Sequence, residues 1–147
     1  MLRALLTTRY DCYLTALRLS VGIMILPHGL QKTVGWFGGP GFSKMMTGFT
    51  QGAHIPTVFA FLAIMAEFLG GIGLIAGFLT RIAAFGVLVN MMVAVIFFNW
   101  RFGFFMNWTG NQRGEGIEFH ILAITILVGV VLRGAGPLSI DRAITRE

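Results

Sequence analysis

Four long apolar runs constrain this chain more than any other feature of its sequence. A helix needs about 20 apolar residues, with a range of about 17–25, to cross the ~30 Å hydrocarbon core of a bilayer. The third and fourth runs lie near the short limit, and the fourth qualifies only if Glu118 and His120 lie at its polar end. The runs predict spanning helices over about 13–33, 55–77, 81–100 and 116–133.

The composition supports a membrane location for all four predicted helices. Hydrophobic residues make up 56% of the chain and charged residues only 12%, whereas soluble domains carry about 25% charged residues. Glycine is also about twice as frequent as usual, and small residues let membrane helices approach closely. The sequence therefore predicts an all-α, integral membrane four-helix bundle, with residues 1–147 as one transmembrane domain.

Charge and cysteine content exclude several classes of function. The net charge is +5, but the basic residues stand singly at the ends of apolar runs, which is typical of helix anchors and not of nucleic-acid binding. Cys12 is the single cysteine. It cannot form a disulfide within the chain, and metal sites with two or four cysteine ligands are excluded for the same reason.

The connections between the runs are of two kinds. Gly77 is predicted to end the second helix and Thr80 to cap the third. Two longer loops cover 35–54 and 101–116, and the first contains apolar residues at the spacing of a short amphipathic helix. Those apolar residues are Phe42, Met45, Met46 and Phe49.

The distribution of Lys and Arg predicts the orientation of the chain. One side of the predicted bundle collects Arg3, Arg9, Arg81, Arg133, Arg142 and Arg146. The other side collects Lys32, Lys44, Arg101 and Arg113. Because cytoplasmic loops carry an excess of positive charge, both termini are predicted to be cytoplasmic and both long loops extracytoplasmic.

A buried polar site is predicted within the apolar helices, formed by Arg18, Glu67 and Asn90. Glu67 lies near the middle of the second helix, where an unpaired carboxylate costs several kcal/mol. Arg18 is its expected partner, since the two residues differ by about 6–8 Å in distance from the predicted cytoplasmic ends of their helices, which a long Arg side chain can bridge. Two interpretations remain open: an ion pair that fixes helix register, or a site for a substrate or proton.

A second, outer polar cluster is predicted beneath the long loops. Its members are His28, Lys32, Arg101, Glu115, Glu118 and His120. These residues could be interfacial anchors, or they could line a pocket for the head group of a quinone or another amphiphile. Haem ligation by His28 and His120 is the weaker hypothesis, because two isolated histidines are little evidence for it. No metal site is predicted.

The order and spacing of several motifs resemble the DoxX family of small membrane proteins. The matching motifs are Arg18-x-x-x-Gly22, His28-Gly29-x-x-Lys32, Glu67-x-x-Gly70-Gly71, Gly77-Phe78-x-Thr80-Arg81, Gly116-x-Glu118 and Gly134-Ala135-Gly136-x-x-Ser139-x-Asp141. Ala135 stands where the family usually has proline. The resemblance implies four helices in the cytoplasmic membrane of a bacterium or archaeon. Some members of the family are quinone-reactive subunits or membrane anchors of redox enzymes.

Three functions follow as hypotheses. The chain could be a redox-associated subunit or anchor that binds a quinone or docks a soluble or membrane oxidoreductase. It has no flavin, nicotinamide or iron–sulfur motif of its own, so no cofactor is expected to be built in. Alternatively, it could transport a small amphiphile, with Glu67 as a protonatable switch and a homo-oligomer to supply enough helices. It could also be a structural scaffold surrounded by membrane lipid.

Overall fold

Helices form almost all of the regular structure of the chain. The computed structural model describes residues 5–145, and no strand occurs within that range. The main helices are α1 (Cys12–Thr33), α2 (Gly41–Thr47), α3 (Thr57–Ala76), α4 (Thr80–Ala94), α5 (Glu118–Arg133) and α6 (Ile140–Thr145). Helix α4 continues through a π-helical turn and a 3₁₀ turn to Phe102. The predicted all-helical fold is confirmed. Helices α1, α3 and α5 begin and end within two residues of their predicted bounds, whereas α4 itself ends at Ala94 and reaches Phe102 only through the two turns.

Three helical segments within the described residues are long and apolar enough to cross a membrane. They are Cys12–Thr33, Thr57–Ala76 and Thr80–Phe102. Helix α5 has 16 residues, about 24 Å at 1.5 Å per residue, which is below the usual length of a span.

The long helices bury one face and expose large apolar side chains on the other. Helix α1 packs against α3 and α5, and α4 packs against the same two helices. The shared core contains Val21, Ile25, Leu74, Ala84, Val87, Met91, Ala123, Leu127 and Val130. On the outside, Phe59, Leu69, Phe85, Ile96, Phe97 and Leu132 are more than half exposed. Such an outer surface is suited to lipid and not to water.

Glycines determine how closely α1 and α3 approach. A Cβ atom on Gly29 would lie 2.6 Å from the Cα atom of Phe68, and one on Gly71 would lie 2.9 Å from the Cα atom of Leu26. Both contacts are with backbone, which cannot rotate away as a side chain can. The two helices therefore run antiparallel in a fixed register, with Gly29 at the level of Phe68.

We expect Gly29→Ala to lower the stability of the protein by about 1–3 kcal/mol, because the added methyl group overpacks the α1–α3 contact. Thermal unfolding of the detergent-solubilised protein measures this effect. Gly129→Ala is the matched control, since a Cβ atom there has no neighbour within 4 Å and alanine favours the helix. Equal unfolding temperatures for the two variants would contradict this account of the register.

The connection between α3 and α4 confirms one prediction and corrects another. Gly77 ends α3 in the left-handed conformation with φ 68°, as predicted. Thr80 does not cap α4, because it is the first residue of that helix. The cap is instead Asp141, whose carboxylate accepts hydrogen bonds from the backbone N–H groups of Leu79 (2.7 Å) and Thr80 (2.9 Å). A side chain 61 residues after Thr80 thus performs the role expected of a sequence neighbour.

The predicted amphipathic segment of the first long loop is also present. Helix α2 continues through a π-helical turn, Gly48–Gly52. Its apolar residues Met45, Met46 and Phe49 are half-buried, whereas Lys44 and Thr47 are exposed. The ring of Phe42 packs edge-on against Phe61 of α3, with 6.2 Å between centroids. The segment therefore lies with its apolar side towards the long helices.

Candidate functional site

The most constrained polar site of the chain centres on the carboxylate of Glu67. This side chain is only 4% exposed. Both of its oxygens accept hydrogen bonds from the ammonium of Lys32 at 2.6 Å, and Oε1 also accepts one from the side-chain amide of Asn90 at 2.8 Å. The buried charge is therefore paired and hydrogen-bonded, as an acid within apolar helices requires.

Helix register brings these three residues together. Gly29 lies at the level of Glu67 and Phe68, and Lys32 follows Gly29 by one turn on the same face. Because helical side chains lean towards the N-terminus of their own helix, the Lys32 side chain reaches back to the level of Glu67. On the other side, Gly70 faces Val87, which places Asn90 of α4 opposite Glu67 in the same way.

His120 of α5 completes this site from the fourth long helix. It is 8% exposed, and the charges of His28 and Glu67 both act on its imidazole. Its ring atom Nδ1 is buried and makes no close hydrogen bond among the described residues, and the backbone of Gly116, four residues earlier, also acts on the imidazole. Buried polar atoms are rarely left unpaired, so this nitrogen is available to a ligand or water. We refer to Lys32, Glu67, Asn90 and His120 together as the Glu67 site.

The predicted pair between Arg18 and Glu67 is wrong. The guanidinium of Arg18 donates instead to backbone carbonyls: Nε to Ala135 (3.0 Å), Nη1 to Leu74 and to Ile75 (2.8 Å), and Nη2 to Leu138 (2.6 Å). Leu74 and Ile75 follow Glu67 by seven and eight residues, about 11–12 Å along the helix. The physical reason is that the N-terminal part of α1 extends past the C-terminal end of α3. The prediction assumed that these two ends lie at the same level.

Arg18 therefore forms a structural clamp of its own, separate from the Glu67 site. It is 1% exposed, and its four acceptors lie at the end of α3 and in the segment that follows α5. Carbonyls at a helix end have no partner within the helix, so the guanidinium satisfies groups that would otherwise be unpaired. Asp141, whose charge also acts on Arg18, caps α4 at the same end of the molecule.

The predicted outer cluster is divided in the structure. Lys32 and His120 join Glu67, and His28 is exposed beside Phe119, with 6.5 Å between ring centroids. Two acidic members organise the long loop before α5. Glu115 accepts a hydrogen bond from the N–H of Asn107 (2.8 Å), and Glu118 accepts one from the N–H of Met106 (3.2 Å). Arg101 stacks over the adjacent ring of Phe102 at 4.8 Å.

Sequence reasoning found every member of the Glu67 site but assigned them to two different clusters. One signal could have linked Lys32 to Glu67: Lys32 follows Gly29 by three residues and lies on the same face of the helix. A glycine that contacts another helix sets the level of such residues against that helix. No group of three or more His, Cys, Asp or Glu residues within 5–145 is arranged to hold a metal ion.

Comparison with known proteins gives one match. The model of the family described as DoxX matches residues 13–100. The matched range contains Arg18, Lys32, Glu67 and Asn90, whereas His120 lies beyond it. No curated protein and no solved structure matches the chain significantly.

Proposed function

The chain belongs to the DoxX family of membrane proteins, and from this premise we propose that its Glu67 site binds the head group of a quinone. In this proposal the protein is a redox-associated subunit or anchor in the cytoplasmic membrane of a bacterium or archaeon. The long helices form a four-helix bundle around the site, and both termini are cytoplasmic.

The proposed bundle requires α5 to cross the membrane as the fourth span. Its first residue is Glu118 and its last is Arg133, so charged residues stand at its two ends and the residues between them include none of Asp, Glu, Lys or Arg. A short hydrophobic stretch is accommodated by local thinning of the bilayer at a modest cost per ångström. Its packing against α1 and α4 also supports a membrane-buried position.

The unpaired Nδ1 atom of His120 is the observation that carries the proposal. Ligand sites are mostly apolar cavities with a few polar groups that converge on the ligand. Lys32 of α1 pairs with the buried carboxylate of Glu67, and the charge of that carboxylate also acts on His120 of α5. In this proposal a ligand carbonyl between Lys32 and His120 meets a hydrogen-bonding group on each side. A quinone head group has two such carbonyls on an apolar ring.

The side chains of the site have distinct proposed roles. A bound quinone would supply the redox-active ring. Lys32 has three N–H donors, two of which are directed at Glu67, which leaves one for a ligand oxygen. His120 would position the ring and hold a proton at Nδ1, and Glu67 would keep Lys32 charged and oriented. Electrons would come from an oxidoreductase docked on the protein.

We expect His120→Phe to weaken quinone binding by about 10- to 100-fold while the protein still accumulates, because one buried hydrogen bond is lost. Titration of the protein in lipid nanodiscs with a short-chain quinone, followed by native mass spectrometry, measures the affinity. The control is His54→Asn, which alters an exposed loop histidine with φ 55° that asparagine tolerates. Unchanged affinity in His120→Phe, or no binding to the parent protein, would overturn the proposal.

Proton-coupled transport of a small amphiphile is a second candidate. The observation in its favour is the ion pair itself, because protonation of Glu67 would release Lys32 from the hydrogen bonds that hold it at 2.6 Å. The two functions differ in proteoliposomes. A transporter accumulates its substrate when a proton gradient is imposed, whereas a quinone-binding subunit does not.

A further inference from the structure

Two arginines flank one aromatic ring in the loop that joins α4 to α5. Arg101, Phe102 and Arg113 line an open cavity of about 470 Å³. This cavity is separate from the Glu67 site, and the function proposed above does not use it.

Packing around Phe102 holds the two arginines at the same place. The guanidinium carbon of Arg101 lies 4.8 Å from the centroid of the Phe102 ring. A Cβ atom on Gly114 would lie 2.5 Å from the edge of that ring, so the ring rests directly against the loop backbone beside Arg113. The absence of a side chain at Gly114 therefore brings Arg113 to the same ring as Arg101.

The charges of these arginines are not neutralised within residues 5–145. Neither guanidinium makes a hydrogen bond or an ion pair there, and the carboxylates nearest in sequence are occupied elsewhere. Glu115 binds the N–H of Asn107, and Glu118 binds the N–H of Met106. Two unpaired guanidinium groups around one cavity form a donor set suited to the oxygens of a phosphate.

The surroundings of the cavity indicate where such a phosphate would come from. Trp100 is 69% exposed and Trp108 is 82% exposed, and Phe104 and Phe105 between them are also exposed. Exposed aromatic residues at the end of a membrane helix lie at the level of the lipid head groups. We propose that Arg101 and Arg113 bind the phosphate of an anionic phospholipid, with the neighbouring aromatic rings against its acyl chains.

Quenching of tryptophan fluorescence by brominated lipids tests this proposal. The full chain, carrying Trp36→Phe so that only Trp100 and Trp108 report, is placed in phosphatidylcholine vesicles with a minor share of brominated phosphatidylglycerol. We expect stronger quenching than by brominated phosphatidylcholine. The preference should fall about fivefold for Arg101→Gln or Arg113→Gln and about thirtyfold for both together, since each basic residue contributes about a factor of five.

Two controls make the result decisive. Lys44→Gln removes an exposed cation from the other long loop and should leave the lipid preference unchanged. The variant with lysine at both arginine positions keeps the charge but loses the planar fork, and should retain only part of the preference. Equal quenching by the two brominated lipids would overturn the proposal. So would loss of the preference on addition of inorganic phosphate, because the site would then be one for a free anion.

Discussion

Glu67→Met is expected to lower the stability of the protein by about 3–5 kcal/mol, because it leaves the ammonium of Lys32 without its counter-charge among apolar helices. Lys32 is 22% exposed at its side chain, so the lower end of that range applies. Lys32→Met should be destabilising for the same reason, since the 4% exposed carboxylate keeps only Asn90 as a partner.

The double variant Lys32→Met/Glu67→Met is expected to recover most of the lost stability. Replacing a whole buried ion pair by apolar residues of similar volume is often neutral or stabilising, whereas removing one partner is costly. The same double variant should bind quinone far more weakly than the parent protein, because it retains the packing, Asn90 and His120 but has lost the ammonium of Lys32 and the carboxylate of Glu67. Glu67→Gln is the complementary variant: it preserves the shape of the site and a carbonyl acceptor for Lys32 but removes the counter-charge. It should therefore be less destabilised than Glu67→Met while binding quinone weakly.

Thermal unfolding in detergent measures the stabilities of the parent protein, the two single variants and the double variant, and quinone titration in nanodiscs measures their affinities. Leu69→Met is the control on the same helix, because Leu69 is 57% exposed to the outside. If the double variant were as unstable as either single variant, the ion pair would not be the source of the effect. If the double variant or Glu67→Gln bound quinone like the parent protein, the Glu67 site would have no part in binding.

Arg18→Leu is expected to be the most damaging substitution elsewhere in the chain, with a loss of about 4 kcal/mol or more. Hydrogen bonds from a charged group contribute about 1.5–3 kcal/mol each, and Arg18 donates to four carbonyls. Arg18→Lys should fail nearly as badly, because a single ammonium cannot reach all the carbonyls that lie around the edges of the guanidinium group.

The amount of protein in the membrane fraction, together with its unfolding temperature, measures the effect at Arg18. Arg133→Leu serves as the control, since Arg133 is exposed at the last residue of α5. Because Arg18 lies outside the Glu67 site, any Arg18 variant that does accumulate should bind quinone with the parent affinity. Normal accumulation and stability of Arg18→Leu would show that the clamp is dispensable.

The sequence by itself determined which segments form helices and which buried ionisable residues need partners. The length of each apolar run indicates where a helix starts and stops, so the bounds of α1, α3 and α5 and the start of α4 could be predicted closely. The cost of an ionisable group among apolar residues marked Arg18 and Glu67 as constrained. The order and spacing of motifs between Arg18 and Asp141 indicated the family that the match over residues 13–100 shows.

Only the tertiary structure decided which polar groups meet. The level of one helix against another depends on contacts such as Gly29 with Phe68, and these are made between residues far apart in the sequence. They place Lys32, and not Arg18, beside Glu67. The tertiary structure likewise brings Asp141, which lies far from α4 in the sequence, to the N-terminus of that helix, which it caps. Periodicity specifies which face of a helix is buried, but the axial offset between two helices is set by packing at their contact.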